Sequence, residues 1–240
     1  MSKVALVTGG AVRVGRTLTL GLADAGYDVL IHYHSSEGPA RETARAVEAT
    51  GRRAALIGAD LATDAGADEV AAAARSAYGR LDLVVNNAAS FEAAPLLDID
   101  AVAWDRVMAT NLKGPFLVVR AAAALLKESR GSVVNIVDLS ALEPWIERAH
   151  HAVSKAGLLH LTRVMARALA PAVRVNAIAP GTVLPPDDFG DAARERERKR
   201  TLVGHLGSPE DVLRTVLFLA ASPFITGELV VVDGGRRWSS

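Results

Sequence analysis

A glycine-rich turn near the start of the chain has residues suited to binding a phosphate. Residues 8–15 read TGGAVRVG and directly follow the apolar run 4–7. Glycine permits positive φ and close approach of a ligand, and a helix that begins there offers unpaired N–H groups to an anion. We therefore expect Gly9, Arg13 and Val14 to contact a dinucleotide. The alternative is an ordinary strand–helix loop, because the spacing departs from G-x-G-x-x-G.

The end of the second predicted strand indicates which dinucleotide binds. A site for NAD normally has Asp or Glu there, on the ribose 2′-hydroxyl, whereas this chain reads HYHSS at residues 32–36. Asp28 lies at the opposite end of the strand, and Glu37 is either an opposing charge or the start of the next helix. Without a carboxylate the 2′-phosphate of NADPH is not repelled, so NADPH is the expected cofactor. The residues expected to contact it here are Tyr33, His34, Ser35 and Ser36, with Arg13 as a further donor.

Strands and helices alternate along the whole chain and must position these residues. The near-continuous Val, Ile and Leu of the strands is typical of parallel sheets covered on both faces. Strands are expected at 4–7, 28–33, 54–59, 81–86, 133–137, 174–178 and 229–232. Helices are expected near 14–25, 39–50, 64–78, 101–128, 151–170 and 208–221. This order predicts an α/β fold: one Rossmann-type domain over residues 1–240, a doubly wound parallel sheet of seven strands with helices on both faces.

Composition narrows the class of function. Lys plus Arg and Asp plus Glu both number 27, so no net field favours nucleic acid or an anionic membrane. The chain has no cysteine, which excludes disulfides and thiolate metal sites, and no metal site is expected. Because the first strand begins by Val4 and charged residues interrupt each apolar stretch, we expect a cytoplasmic protein without a signal peptide or membrane span.

One segment, residues 182–200, does not fit the alternating pattern. It contains PPDD at 185–188 and a run of alternating charges from Arg194 to Arg200. The charges predict a solvent-exposed helix face with pairs four residues apart. A mobile cover over the active site is the alternative, since long loops often serve as lids.

Several short blocks together resemble the short-chain dehydrogenase/reductase family over nearly the whole chain. They are the glycine turn, Asp60-Leu61 after the third strand, Asn86-Asn87-Ala88 after the fourth, Asn111, Pro180-Gly181-Thr182 after the sixth, and Asp233-Gly234-Gly235. The resemblance implies that Asp60 and Leu61 lie at the adenine, that Asn87 and Ala88 contact the cofactor, and that Pro180, Gly181 and Thr182 lie beside the nicotinamide. It also implies that Asn111 holds a water behind a catalytic lysine.

Within the family the chain is most similar to pteridine reductases. Those enzymes also have Arg at the position of Arg13, a His-Tyr-His sequence after the second strand, a Phe matched by Phe91, and Asp where relatives have a catalytic Ser, matched by Asp138. The resemblance implies a pterin stacked between the nicotinamide and Phe91, with Arg13 near the substrate. Stacking on both faces suits a flat heteroaromatic ring.

The family's Y-x-x-x-K motif is altered in this chain. Thirteen residues after Asp138 stands His151, not Tyr, and four residues later Lys155. The resemblance implies that Lys155 holds the nicotinamide ribose. If the effect of the Asp138 carboxylate dominates, His151 is protonated and acts as the acid. If the effect of the Lys155 charge dominates, His151 is neutral, and Asp138 would act through a water. His150, one residue earlier, could exchange roles with His151 if the helix were shifted.

The expected activity is hydride transfer from NADPH to a pterin-like or other flat conjugated C=N or C=O compound, with Asp138, His151, Lys155 and Asn111 as catalytic residues. The substrate would contact Arg13, Phe91, Asp138 and His151. Alternatives are a simple ketone or alcohol as substrate, or a cofactor-binding protein that has lost catalysis. A homotetramer is expected because relatives pair the helices near 101–128 and 151–170.

Overall fold

Seven parallel strands form a single sheet at the centre of the protein. The computed structural model describes residues 2–185 and 189–239. The strands are β1 (Lys3–Val7), β2 (Tyr27–Tyr33), β3 (Ala54–Gly58), β4 (Leu83–Asn86), β5 (Ser132–Ile136), β6 (Arg174–Pro180) and β7 (Leu229–Val232). Their order is β3-β2-β1-β4-β5-β6-β7, and every pairing is parallel. The predicted doubly wound fold is confirmed.

Helices cover both faces of this sheet. The α-helices are α1 (Arg13–Asp24), α2 (Glu37–Ala49), α3 (Asp64–Tyr78), α4 (Ala101–Met108), α5 (Gly114–Ser129), α6 (Ala149–Leu169), α7 (Asp191–Lys199) and α8 (Pro209–Ala221). One apolar core joins the sheet to α3, α5 and α6, with Leu117, Leu125 and Met165 among its residues. A second core joins the other face to α1, α2 and α8, with Leu18, Val47 and Val216. Burial on both faces explains why the strands carry so few polar residues.

The helix predicted over 101–128 is not continuous. A π-helical turn, Ala109–Lys113, separates α4 from α5. In a π turn each hydrogen bond spans five residues instead of four, and such turns often occur at functional sites. This one contains the buried Asn111. Periodicity of apolar residues could not reveal the turn, because it predicts that a segment is helical and does not distinguish a single π turn from α-helix.

The remaining boundaries differ by a few residues. The strand predicted at 81–86 begins at Leu83, β6 continues to Pro180, and α2 begins at Glu37. The charged run after residue 190 forms α7, as the charge pattern predicted, with ion pairs from Glu195 to Arg198 and Lys199. Residues 186–188 of the predicted irregular segment lie outside the described residues.

Among residues 2–185 and 189–239, the structure has no helix that is both long and apolar enough to span a bilayer.

Candidate active site

A cleft opens at the carboxyl edge of the sheet where the strand order reverses. β1 pairs with β2 on one side and β4 on the other, so the connections after β1 and β4 leave in opposite directions. Open α/β sheets bind ligands at such a switch point. The cleft has a volume of about 650 Å³. Its lining includes eleven of the predicted cofactor residues: Gly9, Arg13, Val14, Tyr33, His34, Ser35, Ser36, Asp60, Leu61, Asn87 and Ala88.

The glycine turn is held in shape by the loop after β4. The Thr8 hydroxyl accepts hydrogen bonds from the backbone N–H groups of Asn87 (2.9 Å) and Ala88 (3.0 Å), and the Asn87 amide donates to the Thr8 carbonyl at 3.0 Å. Gly9 has φ +61°, and a Cβ there would lie 3.1 Å from the Ala88 Cα. Asn87 therefore supports the turn through its side chain.

Helix α1 begins at the cleft with an unusual residue. Its N-cap, Val12, makes no side-chain capping bond, and the first turn contains no acidic residue. The free N–H groups and the helix dipole make this end a binding place for an anion. Arg13 has φ +50°, which is rare for a residue with a side chain, and its guanidinium donates to the Leu184 carbonyl at 3.0 Å. Arg13 thus links the glycine turn to the loop after β6.

The end of β2 presents no free carboxylate to the cleft. His34 and Ser35 are exposed there, while the Glu37 carboxylate is paired with Arg41 at 2.6 Å and does not line the cleft. Asp28, at the other end of β2, binds Arg53 at 2.8 Å. The polar side chains that the end of β2 contributes to the lining are those of Tyr33, His34, Ser35 and Ser36.

His32 is a buried support of the glycine turn. Its Nδ1 accepts a hydrogen bond from the Gly9 N–H at 3.2 Å, so Nε2 carries the hydrogen and donates to the Ala59 carbonyl at 3.0 Å. Burial lowers the pKa of His32, which favours this neutral form. The HYH stretch predicted contacts with the cofactor, and this supporting role of His32 was not predicted.

Asp138 and His151 form a short contact beyond the inner end of the cleft. Asp138 follows β5, His151 lies in the first turn of α6, and His151 Nε2 is 2.6 Å from Asp138 Oδ2. The other nitrogen, Nδ1, lies 3.0 Å from the Ser90 carbonyl oxygen. His150 is buried too, but its Nδ1 has no hydrogen-bond partner among the described residues. The register of α6 therefore directs His151, not His150, toward Asp138.

Asn111 holds the Ser90 backbone in place. Its Oδ1 accepts from the Ser90 N–H at 2.7 Å, and its Nδ2 donates to the Ser90 carbonyl at 2.9 Å and to the Ser154 hydroxyl at 3.1 Å. The π turn is what brings Asn111 close enough to both Ser90 and α6. Asn111 Nδ2 is also 3.3 Å from His151 Nδ1.

Lys155 lies one turn of α6 after His151 and is buried. Its Nζ donates to the Ile136 carbonyl at 2.9 Å. Burial lowers the pKa of Lys155, and the Asp138 charge opposes that effect. Burial alone would raise the pKa of Asp138, but hydrogen bonds from His151 and Ser140 and the Lys155 charge outweigh it and hold the pKa below its usual range.

Aromatic side chains border this polar pair. The Phe91 ring is 53% exposed and meets the His151 ring edge-on at 4.8 Å between centroids. Trp145 lies nearly parallel to His151 with centroids 6.4 Å apart. The Arg148 guanidinium lies 4.0 Å from the Phe91 ring centroid and donates to the Phe91 carbonyl at 3.0 Å. A flat or partly apolar substrate fits such a surface.

The predicted residues after β6 do not line the cleft. Pro180 ends β6 beside Val232 of β7, and Gly181 packs against Asp233. The Thr182 hydroxyl donates to Glu197 of α7 at 3.0 Å. In this structure their polar contacts are within the protein.

Besides His32, four residues that contact Phe91, Asp138 or His151 were not predicted from the sequence. They are Ser90, Ser140, Trp145 and Arg148. Ser90 acts through its backbone carbonyl, which leaves no trace in the side-chain pattern. Ser140 donates hydrogen bonds to Asp138, which stands two residues earlier in the chain. Asp side chains commonly accept a hydrogen bond from the backbone two residues later, so this contact could have been predicted. Trp145 and Arg148 are close to Phe91 only because the loop before α6 folds back.

Comparisons with known proteins agree with this architecture. Residues 10–237 match a family described as enoyl-(acyl carrier protein) reductase. The L-rhamnose 1-dehydrogenase (NAD(P)(+)) of Sphingomonas sp. is 34% identical, over 97% of this chain and 95% of the relative. The 3-oxoacyl-(acyl-carrier-protein) reductase FabG of Staphylococcus aureus is 34% identical, over 98% of both chains. The crystal structure of acetoin dehydrogenase from Enterobacter cloacae superposes with a TM-score of 0.91 at 34% identity, covering 100% of this chain and 97% of that one.

Proposed function

Because the chain belongs to the short-chain dehydrogenase/reductase family of oxidoreductases, we propose that it transfers hydride between NADP(H) and a carbonyl compound or its alcohol. The observation that carries the proposal is that Ser90 joins the lining of the cleft to the Asp138–His151 pair. Ser90 lines the cleft, and its carbonyl contacts His151, which in turn contacts Asp138. A dinucleotide along the cleft would therefore end beside groups that can move a proton.

The residues of the cleft fit a phosphorylated dinucleotide. The uncapped start of α1 and the positive φ of Gly9 suit the pyrophosphate. His34, Ser35 and Ser36 suit a 2′-phosphate, and the nearby Glu37 is neutralised by Arg41. We propose that Lys155 holds the nicotinamide ribose. When bound, the coenzyme supplies the hydride, and the protein supplies orientation and the proton.

The position of His151 bears on catalysis. It stands where the family's Tyr is expected, and we propose that His151 and Asp138 together take over its handling of the proton. Imidazole is a competent acid or base near neutral pH. Asn111 and Lys155 lie around this pair at hydrogen-bonded positions, which supports an active rather than a degenerate site.

The substrate class is proposed from the relatives and from the aromatic surface. The three relatives described above carry names of a sugar dehydrogenase, an oxoacyl reductase and an acetoin dehydrogenase, which favours a ketone or secondary alcohol. A flat conjugated compound such as a pterin is the second candidate. The half-exposed Phe91 ring with Arg148 beside it favours that candidate.

The test is NADPH and NADH oxidation with diacetyl, an acetoacetyl thioester, dihydrobiopterin and quinones, together with the reverse reaction on acetoin and L-rhamnose. We expect turnover with NADPH and at least a tenfold lower kcat/KM with NADH, equivalent to about 1.4 kcal/mol. Tight binding of NADPH without turnover of any compound would instead show a cofactor-binding module. Reduction of dihydrobiopterin and of no other compound in the panel would select the pterin candidate.

The cofactor preference has its own variant. His34→Asp places a carboxylate at the end of β2 and is expected to reverse the preference toward NADH, because like charges repel the 2′-phosphate. His160→Asp puts the same charge on an exposed histidine of α6 and is the matched control. An unchanged preference in His34→Asp would refute the assignment of His34, Ser35 and Ser36 to the 2′-phosphate.

A homotetramer and a cytoplasmic location are also proposed. Light scattering tests the oligomeric state.

A further inference from the structure

The His151 ring is closed off from the cleft. Only 1% of its side chain is exposed, compared with 20% for the side chain of Asp138. Both ring nitrogens already have partners, Ser90 O at 3.0 Å and Asp138 Oδ2 at 2.6 Å. The edge of Phe91 packs against the ring at 4.8 Å. A substrate oxygen therefore has no free nitrogen of His151 to contact, whereas Asp138 is partly open.

The hydrogen bonds around Asn111 fix where the protons of His151 lie. Asn111 Oδ1 accepts from the Ser90 N–H, which identifies the other amide atom as the nitrogen. Its two hydrogens point to the Ser90 carbonyl and the Ser154 hydroxyl. His151 Nδ1 thus receives no hydrogen from Asn111 and donates its own to Ser90. At Nε2 the ring faces a carboxylate, so one more proton lies between Nε2 and Asp138 Oδ2.

We propose that Asp138 is the acid that gives the proton to the substrate, and that His151 stores this proton and passes it to Asp138. The inference rests on the proposed reductase function. Asp138 is then a catalytic residue, and His151 is a positioning residue that refills it. A chain of this kind differs from a single residue acting directly, because the same proton is transferred twice in one turnover.

The surroundings of Asp138 explain why it needs His151. Its Oδ1 accepts hydrogen bonds from the Ser140 N–H at 2.8 Å and from the Ser140 hydroxyl, and its Oδ2 faces His151. The charged groups facing it are Lys155 and the His151 ring, which both favour the carboxylate form. Asp138 alone would therefore be ionised at neutral pH and would have no proton to give. A proton that moves from Nε2 to Oδ2 as the substrate oxygen becomes negative removes this obstacle.

The reaction balances with these two groups. A bound NADPH would supply the hydride for the new C–H bond, and the π electrons of the C=O bond would become a lone pair on oxygen. Asp138 Oδ2 takes the Nε2 proton and then gives that same proton to the substrate oxygen. The products are the alcohol, NADP⁺, an ionised Asp138 and a neutral His151 that keeps its Nδ1 hydrogen on Ser90. Asp138 is the partly exposed member, so a solvent proton returns through it to His151. Alcohol oxidation runs the same steps in reverse.

Nitrogen-15 NMR of the histidines tests the proton arrangement without turnover. At neutral pH we expect both nitrogens of His151 to carry hydrogen in the wild type, and Nε2 to lose it in Asp138→Asn. A His151 that carries one hydrogen, or that is unaffected by Asp138→Asn, would overturn the inference. If NMR shows the expected arrangement but no compound is turned over, the proposed function fails while the proton pair stands.

Kinetics test the relay itself. Asp138→Asn should lower kcat by about 10²–10⁴-fold with little change in KM for NADPH. His151→Asn should lower kcat less, and its kcat should rise as the pH falls, because Asp138 then has to take its proton directly from solvent. His150→Asn, equally buried and adjacent, is the control and should keep wild-type kcat and the wild-type pH profile. A His151→Asn loss larger than that of Asp138→Asn, or a His151→Asn variant whose kcat does not rise as the pH falls, would refute the relay.

Discussion

Replacing Asn111 by Ala tests whether the π turn positions the proton-transfer groups or merely stabilises the fold. The change removes three hydrogen bonds, at 2.7, 2.9 and 3.1 Å, from a side chain that is 1% exposed. It leaves the Ser90 N–H without its acceptor. The Ser90 carbonyl keeps only its contact with His151.

The magnitude follows from these contacts. A net hydrogen bond contributes about 1 kcal/mol, and a buried donor left unpaired costs about 1–3 kcal/mol. The unpaired Ser90 N–H and the two other lost hydrogen bonds should therefore reduce the unfolding free energy of the variant by about 3–5 kcal/mol in a urea titration. Because Ser90 holds Nδ1 of His151, a shift of its carbonyl displaces the imidazole, and kcat should fall on the order of 10²-fold.

Asn176→Ala is a matched control for this experiment. Asn176 is also 1% exposed and makes two backbone hydrogen bonds, to Ile225 O at 3.0 Å and from Glu228 N at 3.1 Å, between β6 and β7. It should lose a similar free energy of unfolding and keep its kcat. An equal fall of kcat in both variants would refute the positioning argument. A loss below about 1 kcal/mol in Asn111→Ala would refute the hydrogen-bond reasoning.

Two further predictions concern acid stability and the glycine turn. Hydrogen bonds from Arg106 and Ser90 lower the pKa of Glu92 from 4.5 to about 2, so its contribution to stability is present above pH 4.5 and is lost as the pH falls toward 2. Glu92→Gln should reduce the change in unfolding free energy between about pH 5 and pH 3. The reduction should be less than about 1 kcal/mol, because the Glu92 carboxylate is partly solvated. An unchanged pH dependence of the unfolding free energy in urea titrations would contradict this. Gly15→Ala should weaken NADPH binding at least about tenfold in calorimetric titrations, because its Cβ would overlap the Gly9 carbonyl oxygen. Gly38→Ala, where a Cβ meets nothing within 4 Å, is the control, and equal affinities in the two variants would show that the turn tolerates displacement.

The cleft was more predictable than the polar pair beyond it. Residues at strand ends, such as Gly9, His34 and Asp60, lie on the cleft lining because parallel strands place all their carboxyl ends at one edge. Asn111 was identified by its motif, but its contacts with Ser90 and Ser154 depend on a π turn that apolar periodicity does not register. Glu197 was taken as part of an exposed charged face, yet it is 8% exposed and binds Thr182 and Arg200.

By itself, the sequence determined the strand and helix order, the parallel sheet and the glycine turn at its switch point. Those features follow from local apolar patterning and from glycine's backbone freedom, which act over a few residues. The sequence left open whether Asp138 or Lys155 governs His151, and whether His150 takes its place. Only the tertiary structure decided that His151, and not His150, contacts Asp138, because this 2.6 Å contact depends on the packing of α6 against the end of β5. The same packing hides the imidazole and leaves the carboxylate partly open, an arrangement that no spacing of residues along a chain can specify.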